Sequence, residues 1–226
     1  MIMTRCNLTR LSFNRPGCGM HRTLFFRLVA FILVGGSIAA CTSPSDGDSW
    51  QDDLAPVPAT TTVGGSNSAC RLPVTFDIAE SWVPETVDAD ERGGTPVQGT
   101  VSLACEIDAK PAGHAGFLRV WASEDTKLDS REVLNGYMAE ETGVEEPTYR
   151  ETKAGPFPAT EVTYLKPGAA EAETKRERAL AVELPQGSVV LQLGGLDTRE
   201  HENMLPAYVL ARNTMRDSIT SAQPVP

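Results

Sequence analysis

The chain has 226 residues, with 20 lysines and arginines against 30 aspartates and glutamates and a formal net charge of −10. Residues 1–40 hold five arginines and no acid, so the part from Cys41 onward carries 15 basic and 30 acidic side chains, a net of −15. That balance argues against nucleic acid or an anionic membrane surface as a direct partner, since both call for a basic patch.

The first element is an apolar run. Met1 to Gly19 bear arginines without a hydrophobic pattern; a start at Met20 gives a more ordinary export signal and leaves Cys6 and Cys18 outside the folded protein. Arg22 and Arg27 supply positive charge ahead of Leu28 to Ala40, 13 nearly all apolar residues that include Gly35 and Gly36. Roughly 20 residues are needed to cross a bilayer as a helix, so residues 1–40 read as a signal peptide and not as a permanent span. The run ends at Ile38-Ala39-Ala40-Cys41, which resembles the bacterial lipobox, where the thiol is joined to diacylglycerol before cleavage. The resemblance implies that Cys41 is the lipidated first residue of an exported protein. Two acyl chains of the palmitate class, at ~0.8 kcal/mol per buried methylene, then hold it on the outer face of the cell membrane.

Residues 41–69 read as the lipidated cysteine and a flexible tether. Thr42 to Ala69 is dominated by Ser, Thr, Pro, Gly, Asp and Ala, too polar to offset its own ordering entropy. Trp50 within it reads as a stray exposed aromatic. Of the remaining cysteines, Cys70 and Cys105 form one pair in an oxidising compartment, which predicts a disulfide; no CxxC, third ligand or nearby histidine supports a metal or redox pair instead.

A single domain is expected over residues 70–221. "LPVTFDIA", "QGTVSLACEI" and "GFLRVWAS" alternate as strands, with Val74, Phe76 and Ile78 on one face of the first. Pairing the first two as a hairpin brings Cys70 opposite Glu106, one residue from Cys105, within disulfide reach. In "LDSREVLNGYMAEETG" the period changes: Val133, Leu134, Tyr137 and Met138 form a helical stripe, Asp129 or Ser130 caps its start and Gly143 its end. "PTYRET", "FPATEVTYL", "RALAVEL" and "SVVLQLGG" follow as four strands between turns at Gly155-Pro156, Pro167-Gly168 and Pro185-Gln186-Gly187. A last helix is predicted from about Asn203 to Thr220, with Pro206 in its first turn and Leu205, Tyr208, Val209, Met215 and Ile219 on one face. The order β-β-β-α-β-β-β-β-α gives an α+β fold, a mainly antiparallel sheet with two helices packed on it.

"VTFDIAESW" (Val74 to Trp82), "AGPFPATEVTYL" (Ala154 to Leu165) and "SVVLQLGG" leading into "LPAYVLARNTMRDSI" resemble, in that order, the PsbP-like fold and more narrowly the LpqN/LpqT-type lipoproteins of high-GC Gram-positive bacteria. Ala79-Glu80-Ser81 stands where that family often has a proline and a glycine before the tryptophan. The resemblance implies a sandwich of sheet and helices, a non-enzymatic domain and a place in the cell envelope, and it transfers no catalytic residue.

The residues themselves offer little chemistry. His114 in "KPAGHAG" reads as a solvated turn histidine, and His201 in "REHEN" points away from its acidic neighbours. HExxH and GxSxG are absent, "DADERGG" lacks the calcium-loop spacing, and the acidic loops read as solvated. "TKRER", Thr174 to Arg178, reads as an exposed strand start. No cofactor, metal or catalytic residue is assigned. The loop from Glu80 to Val97, 18 residues and longer than a hairpin needs, is the expected recognition element, through Trp82, Val83 and Val87.

The expected function is a non-catalytic binding or interaction module, anchored to the membrane and engaging an envelope protein through its sheet face or the 80–97 loop. The alternative is a carrier for a lipid or other small apolar ligand, with an apolar pocket between sheet and helix. A hydrolase using paired carboxylates ranks third.

Overall fold

Strand-forming runs dominate this chain. The computed structural model describes residues 50–55, 57–65, 68–87, 93–168 and 173–218. The signal segment, Cys41, residues 42–49 and the predicted helix end at 219–221 lie outside the described residues. Strands β1 (Ala59–Val63), β2 (Val74–Ala79), β3 (Val83–Thr86), β4 (Val97–Gln98), β5 (Val101–Asp108) and β6 (Gly116–Ser123) precede helix α1 (Ser130–Ala139). After it come β7 (Glu145–Ala154), β8 (Phe157–Pro167), β9 (Thr174–Leu184), β10 (Gly187–Gly195), helix α2 (Thr198–Asn213) and the short β11 (Arg216–Asp217). The expected seven strands and two helices stand in the expected order, and the fold is α+β with antiparallel sheets.

An open sheet runs β3-β5-β6-β10-β9-β8-β7, with β4 sharing the outer edge of β5, and a smaller one runs β1-β2-β11. Helix α1 lies across β8, β9 and β10 on one face of the large sheet. The small sheet and α2 cover the other face. Covered on both sides, β10 is buried from Gly187 to Leu193, which is why "SVVLQLGG" is apolar nearly throughout instead of alternating. The edge strand β7 is the reverse case: largely exposed, charged and carrying Pro147, features that discourage pairing with another chain.

Two cores result. On the α2 side Phe76 and Ile78 meet Leu180, Leu191, Leu193, Leu205 and Tyr208; on the α1 side Val133, Leu134 and Tyr137 meet Val162, Ala179 and Val190. Each such aliphatic or aromatic side chain contributes roughly 1.5–3 kcal/mol when fully buried. Asp129 caps α1 as expected, and with Glu132 completes a reciprocal capping box.

Four expectations change. First, β2 and β5 do not form a hairpin: β2 pairs with β1 and β11, while β5 pairs with β3, β4 and β6. The Cys70–Cys105 disulfide is present all the same, with Cα atoms 5.5 Å apart, and it ties the approach to the small sheet to the large one. Second, the 80–97 loop is no plain loop, because Val83–Thr86 pairs with Cys105–Asp108 as β3. Residues 88–92 of it are outside the described residues. The turn before Trp82 is made by Ser81 at φ 66°, the left-handed region that a glycine would enter without strain.

Third, residues 50–63 are no loose tether. β1 pairs along β2, with Thr61 facing Ile78 and Val63 facing Phe76, and Val63 is buried. Fourth, α2 begins at Thr198, not at Asn203, because Asp197 accepts a hydrogen bond from the Glu200 amide as its cap. Pro206 therefore lies inside the helix. The helix stops at Asn213, where Gly155 of the β7–β8 turn donates its amide to the Arg212 carbonyl at 2.8 Å. Gly155 has φ 53°, and a Cβ there would meet the Met215 carbonyl oxygen at 1.9 Å, so only glycine closes this turn.

Candidate functional site

The three residues singled out for recognition separate onto different faces. Trp82 is buried in the α2-side core, its ring 6.4 Å from that of His114. Val83 opens β3 on the other face and is 43% exposed. Val87 packs against the α1-side core. Trp82 is thus a structural plug, and Val83 alone of the three presents an exposed side chain to solvent.

Val83 belongs to a larger open surface. Because α1 is ten residues long and lies over β8 to β10, its cover of the neighbouring strands reaches only Val101 and Leu103 of β5 and Trp121 of β6, and it leaves β3 with the Asp108 end of β5 and the Phe117 end of β6 uncovered. Register places Val83, Asp108, Phe117 and Gly194 in one cross-strand row, and Glu85, Glu106, Arg119 and Gln192 in the next. Lys110 and Arg119 lie over the Phe117 ring at 5.0 and 5.3 Å. Arg119 also donates to Glu106 at 2.8 Å. Gly194 puts no side chain beside Phe117, and a cleft of about 450 Å³ opens there, floored by Gly194 and Gly195 and bounded by Lys175, Glu177 and the 53% exposed Leu196. Glu177 at its back is held by Lys175, Tyr164 and Gln192 at 2.6, 3.2 and 3.1 Å. The surface offers an aromatic ring, two aliphatic side chains and fixed charges of both signs.

Acid–base chemistry has less support here. A general acid needs a carboxyl raised into the neutral range, whereas the shifted carboxyls move the other way. Burial pushes Glu141 up, but hydrogen bonds from Lys166, Gln98 and Tyr137 outweigh it and leave it low. His114 bonds Glu200 at 2.8 Å through Nδ1 and is half-buried, not the free turn histidine expected. His201 is fully buried on α2 against the sheet, and burial, then Arg178, Arg176 and Lys175, depress it to about 3. No three metal-ligating side chains converge among the described residues.

The space between sheet and helices is filled by the two cores. A groove of about 1500 Å³ lies elsewhere, between the small sheet and the β5–β6 end of the large one, lined by side chains such as Thr62, Thr75, Ser102, Ala122, Arg71 and Arg216. It is not the apolar sheet–helix pocket that a lipid carrier was expected to show.

A second charged centre was not foreseen. "TKRER" begins β9 as expected, but only Thr174 is exposed; Lys175 and Arg176 are half-buried, Glu177 is buried and Arg178 fully so. Diagonal to it on the α2 side lies Glu161, also fully buried, whose carboxylate takes hydrogen bonds from Tyr208 at 2.7 Å and Arg150 Nε at 2.8 Å. Arg178 and Arg212 are 3.6 and 3.5 Å from it. Asp52, from the segment read as tether, closes the cluster: Arg150 grips its carboxylate with two nitrogens, and Arg212 donates at 2.9 Å. Burial pushes Asp52 up, yet these two guanidinium groups more than offset it and hold the carboxyl below its usual range. Trp50 lies on Arg150 at 4.0 Å and Arg178 at 5.4 Å, and its carbonyl accepts from Arg178 at 2.8 Å. One signal was present in the letters. Arg178, Leu180, Val182 and Leu184 share one strand face, so alternation sends the arginine inward with the core.

A family model for uncharacterised lipoproteins matches residues 40–215. The chain belongs to this lipoprotein family. The match begins one residue before Cys41, so it spans the lipobox cysteine and every element from β1 to α2. No curated protein matches this lipoprotein. Among solved structures, cyanobacterial PsbP (CyanoP) from Synechocystis sp. PCC 6803 is similar at a TM-score of 0.48 and 9% identity, over 72% of this chain and 95% of that one.

Proposed function

We propose that this lipoprotein is an exported module, anchored by a diacylglyceryl Cys41 to the outer face of the cell membrane, that binds an envelope protein through the open sheet face around Val83 and Phe117 without catalysing a reaction. The observation that carries the reading is the incomplete cover of α1's face, which leaves Val83, Phe117 and Leu196 accessible beside fixed charges. The family match supports the anchor, and the LpqN/LpqT-type resemblance is consistent with an envelope role.

Two measurements test this. Intact mass of protein taken from membranes should show a diacylglyceryl chain beginning at Cys41; an uncleaved or unlipidated chain refutes the anchor. A photo-crosslinking residue at Val83 or Leu196 should trap one discrete envelope partner, and Phe117→Ala should abolish the adduct. Equal trapping from a site on the other side of the sheet, such as exposed Asn203 of α2, refutes the binding surface.

A further inference from the structure

The three-arginine cluster is built like a receptor for an acid, and it is filled by the chain's own segment. Glu161 neutralises one of Arg150, Arg178 and Arg212 and fixes their positions; of the two positive charges left over, Asp52 meets one. Arg178 and Glu161 are fully buried and Arg212 nearly so, whereas the Asp52 side chain is 35% exposed. The donors are thus a fixed part of the fold and the acceptor is peripheral. Residues 50–55 belong to neither sheet, and Gln51, Asp53 and Ala55 face solvent. Half-buried Leu54 rests against the α2-side core, and at the cluster itself the segment is held by a bidentate guanidinium–carboxylate pair, an indole stacked on guanidinium, and one carbonyl bonded by Arg178.

We propose that Arg150, Arg178 and Arg212 form a binding site for an acidic peptide segment of a partner protein, one with an aromatic residue two positions before its acid, and that Trp50 and Asp52 occupy it in cis. The tethered segment has the advantage of high effective concentration, so a partner segment binds by displacing it. This site lies on the opposite face of the sheet from the surface around Phe117, and its test does not depend on that surface.

The probe is a fluorescein-labelled peptide with the sequence of residues 48–55, DSWQDDLA. In the full chain carrying Trp50→Ala and Asp52→Ala, the peptide should bind at least about tenfold tighter than to the wild type, because the competing segment has lost both anchors. Adding Arg150→Ala should return the affinity to wild-type level or below. A doubly substituted chain that keeps its circular dichroism and disulfide yet binds no better than wild type overturns the proposal, as does binding indifferent to Arg150. Should the doubly substituted chain not fold, the wild type labelled with 5-fluorotryptophan decides. Of its three tryptophan resonances, that of Trp50 alone should move toward its free position as millimolar peptide is added, and a Trp50 signal unmoved at saturation overturns the inference.

Discussion

Glu161 is the residue on which the interior charge balance turns. Its carboxylate is fully buried among Arg150, Arg178, Arg212 and Tyr208, so removing it strands guanidinium groups that have left water. Glu161→Ala should cost about 3–5 kcal/mol in urea unfolding, the range for breaking a buried ionic pair; a loss under about 1 kcal/mol would contradict the role given to this carboxylate. His201 makes a second expectation at this scale. Unfolded, it takes up a proton near 6.5; folded, burial and the nearby cations delay this to about 3. Between those values the unfolded chain binds the extra proton, so this contribution is complete above pH 6.5 and is lost as the pH falls toward 3. The loss approaches about 1.4 kcal/mol per pH unit. Urea midpoints of wild type and His201→Gln compared between pH 6 and 5 should show the shallower slope in the variant; parallel slopes would remove His201 from the account. Neither residue was legible as buried: His201 has polar neighbours, Glu161 is itself charged in "FPATEVTYL", and burial of both comes from elements far away in the chain.

At the scale of elements, local signals carried well and long-range pairing did not. Alternation in "VTFDIA", the apolar run of "SVVLQLGG", the capping of α1 by Asp129 and the turn at Gly155-Pro156 follow from neighbours within a few residues, and all are found where the pattern puts them. The cap at Asp197, with Glu200 three residues on, was equally local and marks the true start of α2. One partner of β2 was hidden and the other was distant: β1, its neighbour in the chain, lies in the stretch read as tether, and β11 comes from after α2; together they place β2 in another sheet. The disulfide then takes on a different meaning, since it links two sheets and not two strands of one hairpin. Its Cys70–Cys105 loop has a sequence separation of 35, and a loop of that length is stabilised by about 4 kcal/mol on the chain-entropy model. Cys70→Ser should lower unfolding stability by an amount of that order. A change below about 1 kcal/mol would show that the sheets are held together without it.

For the whole molecule, the lipobox pointed to the lipoprotein family that the match then showed, because it depends on amino-acid type alone; the open sheet face was not legible, because it depends on what α1 fails to cover. The largest difference from expectation lies in residues 50–63, where ion pairs and strand pairing, with Leu54, Val57 and Val63 set against the core, fasten a segment of mainly polar letters. On the proposed anchor at Cys41, that fastening sets a working radius. Only eight residues separate Cys41 from Trp50, a span of at most about 32 Å when fully drawn out, against about 100 Å if the chain were loose as far as Cys70. Energy transfer between a dye in the bilayer and one on the domain should therefore weaken when Trp50→Ala and Asp52→Ala are introduced together; unchanged transfer would show that the segment does not limit reach. The arginine cluster is in this sense a latch on a leash, and whatever fills it decides how deep into the envelope the domain can fish.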